Sequence, residues 1–335
     1  SELIDALARI VASGRAHGPD IFPEGLAIGI GDDCAAIRRD RGTDVYTTDT
    51  MVDGVHFRAG QMPWRDLGWK SMASNQSDVA SMGAWPVASL VTLGVPREAE
   101  VEDLQEIYGG MKEAVDEHGG AVVGGDVVRS PVLFITVAMI GRAEDGSDGE
   151  ARLLRRDVAK AGDLIAVTGV LGSSAGGLRA LESGLSGGSA DILRNAHFRP
   201  TPRVPEGLSL ARDGVRTAMD VSDGLVADTA KLCQASGVCA VVNRDALPVA
   251  DALRTLFPDE WPGMALGGGE DYELLFAAPP DVMEHALRSV GGEATVIGEI
   301  LACEHPDQHG KVRVVDSEGR EVPVEQAGWD HLRQE

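Results

Sequence analysis

The chain has 335 residues, 43% hydrophobic and 25% charged, ordinary values for a globular protein and enough length for two cores. Its 53 acidic against 30 basic residues give a net charge of −23, which argues against non-specific nucleic-acid binding and against docking on an anionic membrane. Cys34, Cys233, Cys239 and Cys303 form no CxxC pair, so neither zinc nor a disulfide framework is expected, and a cytoplasmic setting fits.

Residues 1–14 repeat apolar side chains at helical spacing (Leu3, Ile4, Leu7, Ile10, Val11), with no basic leader and no run of about 18 apolar residues to span a bilayer. Short strands are expected over 26–30 and 44–48, delivering Asp32, Asp33 and Asp49 at their ends. Residues 66–82 read as a helix whose Lys70, Ser71, Ser74, Asn75 and Asp78 share an arc of roughly 140°. A polar face of that kind calls for a polar neighbour. A strand over 87–95 and an amphipathic helix over 99–118 follow, the helix closed by Gly119-Gly120. A further strand leads into Gly124-Gly125-Asp126, and Val132 to Ile140 is an apolar strand.

Residues 142–151 are polar and Gly-containing, and the domain boundary is placed there, between 1–145 and 150–335. The second half opens with a strand over 163–168, a turn from Gly169 to Gly177 and a helix. A helix over 222–236, strands over 238–243 and 272–277, a helix over 281–290 and a strand over 294–300 complete the series. Strands and helices alternate, so the class is α/β or α+β, with mixed sheets flanked by helices.

Acidic side chains concentrate in short Gly-flanked motifs: Gly31-Asp32-Asp33, Thr47-Thr48-Asp49, Asn75-Gln76-Ser77-Asp78, Gly124-Gly125-Asp126, Asp220-Val221-Ser222-Asp223-Gly224, and Gly268-Gly269-Glu270-Asp271-Tyr272-Glu273. Aspartates at strand ends and tight turns suit hard cations such as Mg²⁺, which take oxygen ligands. Several such ions in one cleft point to phosphate chemistry. Each motif has a plainer reading. Asp32 and Asp33 could cap a turn, Ser222 or Asp223 could be a helix N-cap, and Glu270 to Glu273 could be an acidic turn. His56 on its own is a surface histidine, and Arg152, Arg155 and Arg156 could be a charge-balancing patch. The loop from Gly169 to Gly177 could cradle a phosphate with backbone N–H groups or simply turn. No GxxxxGK[ST] is present, and Gly29-Ile30-Gly31 lacks the third glycine of a dinucleotide fingerprint.

In order and spacing these motifs resemble the thiamine-monophosphate kinases, part of the wider family of aminoimidazole-ribonucleotide synthetase and selenophosphate synthetase. The blocks that carry the resemblance run from Ile28 to Asp33, Thr47 to Phe57, Asp66 to Asp78, Gly124 to Asp126, Asp220 to Leu225, Gly268 to Phe276 and Gly328 to Leu332. The resemblance implies ATP- and Mg²⁺-dependent phosphorylation of thiamine monophosphate. It also implies a two-domain architecture like that of aminoimidazole-ribonucleotide synthetase, and a homodimer paired through its N-terminal domains. Carried over position by position, Asp33, Thr47, Thr48, Asp49, Asp78, Asp126, Asp220 and Asp223 are expected metal ligands. Gly125, Arg156 and Ser222 are expected ATP contacts, and His56, Glu270 and Trp329 thiamine phosphate contacts. The chain departs from the family at Val127 and Val128, where two hydroxyl residues are usual.

A phosphate acceptor is largely dianionic at pH 7 and needs no general base, which fits a chain with no evident His–carboxylate pair. Direct in-line transfer is therefore expected, with charge neutralised by bound cations. The competing readings are a sister ATP-dependent synthetase and a non-catalytic Mg-nucleotide-binding protein. A carboxylate-pair hydrolase does not need so many clustered aspartates.

Overall fold

The computed structural model describes residues 26–28, 32–39, 42–147, 149–324 and Gly328; the expected helix over 1–14 and Trp329 lie outside them. Two six-stranded mixed sheets follow one another along the chain. The first is built from β1 (Leu26–Ile28), β2 (Ala35–Arg38), β3 (Thr43–Val52), β4 (Ala84–Val95), β5 (Ala121–Arg129) and β6 (Phe134–Ala143), in the order β1-β2-β3-β6-β4-β5. All its pairs are antiparallel except β4 with β5. The helices α1 (Trp64–Ser81) and α2 (Val101–His118) cover one face.

Alternation along these strands explains why only one face is covered. Val137, Met139, Val91 and Leu93 point inward and are buried, whereas Ala138 and Leu90, one residue out of phase, are exposed. The two helices cross through glycines. A Cβ on Gly68 would lie 1.8 Å from the Ile107 carbonyl oxygen, and one on Gly110 1.7 Å from that of Arg65, so neither position admits a side chain at this spacing.

The second sheet comprises β7 (Leu164–Thr168), β8 (Thr217–Asp220), β9 (Cys239–Asn243), β10 (Leu274–Ala278), β11 (Ala294–Leu301) and β12 (Val312–Val315), in the order β12-β9-β11-β7-β10-β8. Its central strands are buried on both faces. Ile165, Val167 and Leu275 join one core, and Ala166, Leu274 and Phe276 the other. This is why β7 and β10 read as unbroken apolar runs rather than alternating ones. The flanking helices are α3 (Ser173–Glu182), α4 (Ser189–Phe198), α5 (Val204–Arg212), α6 (Leu225–Ser236), α7 (Asp251–Leu256), α8 (Trp261–Gly267) and α9 (Pro280–Ser289).

The fold class is the expected one, with local corrections. β3 continues to Val52, so Asp49 is mid-strand rather than at a strand end. Gly124 to Asp126 lie inside β5 rather than after it. Helices α4, α5, α7 and α8 and strands β2 and β12 are additions to the expected series. Cys239 and Cys303 form a disulfide across a Cα separation of 5.5 Å, which corrects the expected absence of one; Cys34 and Cys233 are free and buried. No described helix is long and apolar enough to cross a membrane.

Candidate active site

Helix α1 is polar along the face that meets the second sheet, and that face is buried: Lys70, Ser71, Ser74 and Asn75 are each at most 3% exposed. At its C-terminal end Asp78 meets Asp33, from the segment before β2, and Asp220, the last residue of β8. One ligand oxygen from each of these carboxylates lies within 4.8 Å of the other two. Hydroxyls orient all three. Thr47 Oγ1 donates to Asp78 at 2.5 Å, Ser77 Oγ to Asp220 at 2.7 Å and Ser81 Oγ to Asp33 at 2.9 Å. Period-two alternation sends Thr47 and Asp49 to the same face of β3, and the Asp49 charge acts on both Asp78 and Asp220.

Burial is the main electrostatic fact here. It pushes Asp33 up to about 6 and carries Asp78 and Asp220 well above the ordinary carboxylate range, with the neighbouring aspartates adding to the rise. One cation offsets the cluster: the Arg156 guanidinium pairs with Asp33 and sits 3.3 Å from Asp32. A buried, oxygen-only donor set with this excess of negative charge fits a hard divalent ion better than it fits empty space.

The cluster opens into a cavity of about 1150 Å³ that Asp49, His56, Ser222, Asp223 and Glu270 also line. Glu270 reaches it from a strained turn. It adopts φ 62° and Tyr272 adopts φ 52°, left-handed values that non-glycine residues hold only when their surroundings demand it. Lys70 Nζ donates to Glu270 Oε2 at 2.8 Å, and His197 Nδ1 lies 3.6 Å from the same oxygen. Burial raises Glu270, but the Lys70 charge and hydrogen bond outweigh it and hold the carboxyl below its ordinary range. Burial and the Lys70 charge push the His197 ring down to about 3, so it is neutral. A neutral ring at 3.6 Å neither ion-pairs with the carboxylate nor hydrogen-bonds to it, so His197 and Glu270 are neighbours and not a proton-transfer pair.

The neighbouring acids are structural. Asp271 accepts the N–H groups of Gly172 (2.6 Å) and Ser174 (3.0 Å) at the start of α3, so the Gly169–Gly177 loop spends these donors on a carboxylate. Asp228 does the same for Ser222, Asp223 and Gly224, at 3.0, 2.9 and 3.1 Å. It thereby fixes the turn that carries Ser222 and Asp223, while Asp223 pairs with Lys231.

Burial raises Asp271 from 3.8 to about 7. Its proton is thus bound more tightly in the folded chain. The stability this contributes is complete below pH 3.8 and is lost as pH rises through 7. Asp271→Asn, which cannot ionise, should lose less stability than wild type between pH 5 and 8, by about 2 kcal/mol. Urea melts at the two pH values measure it, and parallel pH profiles would refute it.

Two expected ligands lie elsewhere. The Thr48 hydroxyl points to the opposite face of β3 and donates to the Val137 carbonyl at 2.9 Å. Asp126 is exposed on the edge strand β5, in register with Thr92, which pairs in turn with Thr136 and Thr136 with Thr50. It is three strand spacings, about 14 Å, from β3 and on the face away from Asp49. Gly125 backs onto β4 so closely that a Cβ would sit 1.9 Å from the Val91 carbonyl oxygen. Gly328 packs against Asp223 and Ala227.

Residues 31–143 match the family described as AIR synthase related protein, N-terminal domain, and residues 160–310 its C-terminal domain counterpart. The thiamine-monophosphate kinase of Escherichia coli O157:H7 is 36% identical over 315 residues, covering 92% of this chain and 92% of that one. The chain belongs to the thiamine-monophosphate kinase family. Among solved structures, AaThiL complexed with AMPPCP and TMP superposes with a TM-score of 0.83 at 31% identity, covering 98% of this chain and 96% of that one. The thiamine-monophosphate kinase of Stenotrophomonas maltophilia K279a gives 0.74 at 35% identity, covering 96% and 97%. The sequence reading gives no role to Ser174, His197 or Arg203, and Asp228 stands in it only as the last acid of the motif that begins at Asp220. Their partners are set by the fold; the only local signal was that a buried polar face on α1 needs something polar opposite it.

Proposed function

We propose that this protein transfers the γ-phosphoryl group of ATP to thiamine monophosphate, yielding thiamine diphosphate and ADP. The observation that carries the reading is the Asp33–Asp78–Asp220 cluster, closed to within 4.8 Å and opening on the same cavity as Glu270 and His56. Family membership, and a relative whose structure holds AMPPCP and TMP, support it.

Asp33, Asp78 and Asp220 would hold Mg²⁺, with Asp49 and Thr47 on the same side; bound there, the ions neutralise phosphate charge. Asp223 would serve as a further ligand once released from Lys231. Arg156, beside Asp33, and Ser222 would contact ATP. His56, Glu270 and Trp329 would contact thiamine phosphate. The acceptor is already largely dianionic at neutral pH, so no side chain has to remove a proton, and the neutral His197 is not asked to. The chain's own work is to align two anions in one cavity, which suits direct in-line transfer without a phosphoenzyme.

Two further parts of the reading concern assembly. We take residues 1–145 as a nucleotide- and metal-binding domain and 150–335 as the domain that completes the site. The uncovered face of the first sheet exposes Trp85, Val87 and Leu90, apolar area suited to pairing with a second copy. Thr48, Gly125 and Asp126 lie on or beside that face. Asp126 would then serve the site of the other protomer.

The test is to incubate the protein with ATP, Mg²⁺ and thiamine monophosphate and assay thiamine diphosphate, with thiamine and Asp49→Ala as controls. Product from the monophosphate alone, lost in the variant, supports the reading. ATP bound with no diphosphate formed sinks it.

A further inference from the structure

Lys70 lies in the middle of α1 with its side chain 1% exposed, yet it borders no solvent and caps no helix. A buried ammonium is costly unless it is paired, so its partners indicate what it is for. Its Nζ reaches two groups, both from the second half of the chain: Glu270 Oε2 at 2.8 Å and His197 Nδ1 at 3.4 Å. His197 is fixed in turn by Ser174 Oγ at 3.0 Å. These contacts converge on Oε2. Among the described residues no hydrogen bond is made by Oε1, and the Glu270 side chain keeps 30% of its surface open where it lines the cavity. The left-handed backbone at Glu270 is held by its own N–H, which donates to the Ser222 carbonyl at 2.8 Å, and Lys70 adds a charge-assisted bond at the side chain.

We infer that Lys70, steadied by His197 and Ser174, is a positioning residue that anchors one oxygen of Glu270 so that the other faces the substrate. This rests on the kinase reading proposed above. A carboxylate repels phosphate, so Glu270 addresses the ring end of thiamine monophosphate, which offers a thiazolium cation and an aminopyrimidine donor. Lys70 touches no substrate in this arrangement. It sets the direction and ionisation of a group that does, and it spans from the first sheet's helix to the turn before β10.

The experiment is a double-mutant cycle on the full chain, reading KM and kcat for thiamine monophosphate and KM for ATP. Lys70→Met should raise KM for thiamine monophosphate about tenfold or more, with kcat and the ATP KM within about threefold. Glu270→Gln should do the same. Lys70→Met added to Glu270→Gln should raise KM no further, because Lys70 acts only through Glu270. The double variant leaves no unpaired buried carboxylate, so it serves also if the single Lys70 variant does not fold. An unchanged KM in Lys70→Met with a lowered melting temperature would show a purely structural ion pair and overturn the inference. So would a further tenfold rise in the double variant. Wild type runs alongside: no thiamine diphosphate from wild type overturns the kinase reading itself, whereas an active wild type with either adverse result overturns this inference alone.

Discussion

Replacing Asp78 with asparagine is expected to lower turnover by roughly a thousandfold or more and, in the same protein, to raise the melting temperature measured in chelator. The two effects have one cause. Asp78 brings a carboxylate oxygen within 4.8 Å of those of Asp33 and Asp220, with the Asp49 charge close by. Two unit charges at that distance repel by about 3.5 kcal/mol at an effective dielectric of 20. The metal-free protein relieves part of this by keeping protons: burial first, then the charges of Asp49, Asp220 and Asp33, carry Asp78 well above the ordinary carboxylate range. The stability recovered in the variant is therefore smaller, about 1–2 kcal/mol. Asparagine can still accept the Thr47 hydroxyl bond, so the fold is not asked to change. Thermal melts with and without Mg²⁺ separate the readings. Wild type should gain stability on adding the ion and Asp78→Asn should gain little, since stabilisation by a ligand depends on binding to the folded state. A variant that is less stable in chelator and still active would mean that the three acids form a structural cluster, not a metal centre.

What one sequence could show here follows from how far each residue stands from its partners. Strands, helices and Gly-flanked acids are local patterns, and the helix expected over 66–82 is found at Trp64–Ser81. The face of a strand is also local, but it needs the strand's true extent. Ending β3 at residue 48 made Thr48 a neighbour of Asp49, whereas a strand running to Val52 puts the two on opposite faces. The place of Asp126 was missed for the same cause, since Gly124-Gly125 reads as a turn and is an edge strand. Long-range pairings leave no local mark at all. The Cys239–Cys303 bridge closes 64 residues, and Lys70 finds Glu270 across 200. The acidic run from Glu270 to Glu273 shows this limit most clearly. In sequence it is one motif, and in the structure Glu270 faces the cavity, Asp271 caps α3 and Glu273 belongs to the core.

That third role leads to a large expected effect on stability. Glu273 is 5% exposed and accepts four hydrogen bonds. Arg203 Nε and Nη2 bind it in a two-pronged pair at 2.7 Å each, Thr168 Oγ1 adds a bond at 2.7 Å and the Val170 N–H one at 3.4 Å. The carboxylate joins the end of β7, the start of β10 and the residue before α5, and Gly169 has no room for a Cβ beside it. Glu273→Ala should therefore cost roughly 3–5 kcal/mol in urea melts, because it strands a largely buried guanidinium and takes away the acceptor of the Thr168 O–H, which keeps only the Leu274 N–H. The weaker contacts of Arg203, to Glu293 at 3.4 Å and Glu206 at 3.7 Å, set how much of that is recovered. If they can take over the charge, the loss falls below about 1 kcal/mol and the pair is a surface-like bridge after all. Removing both partners distinguishes the cases further. Arg203→Met with Glu273→Met should be more stable than either single change, since the cost lies in leaving one charge behind rather than in losing the attraction. Additive losses in that double variant would mean that the two side chains contribute independently and that neither strands the other.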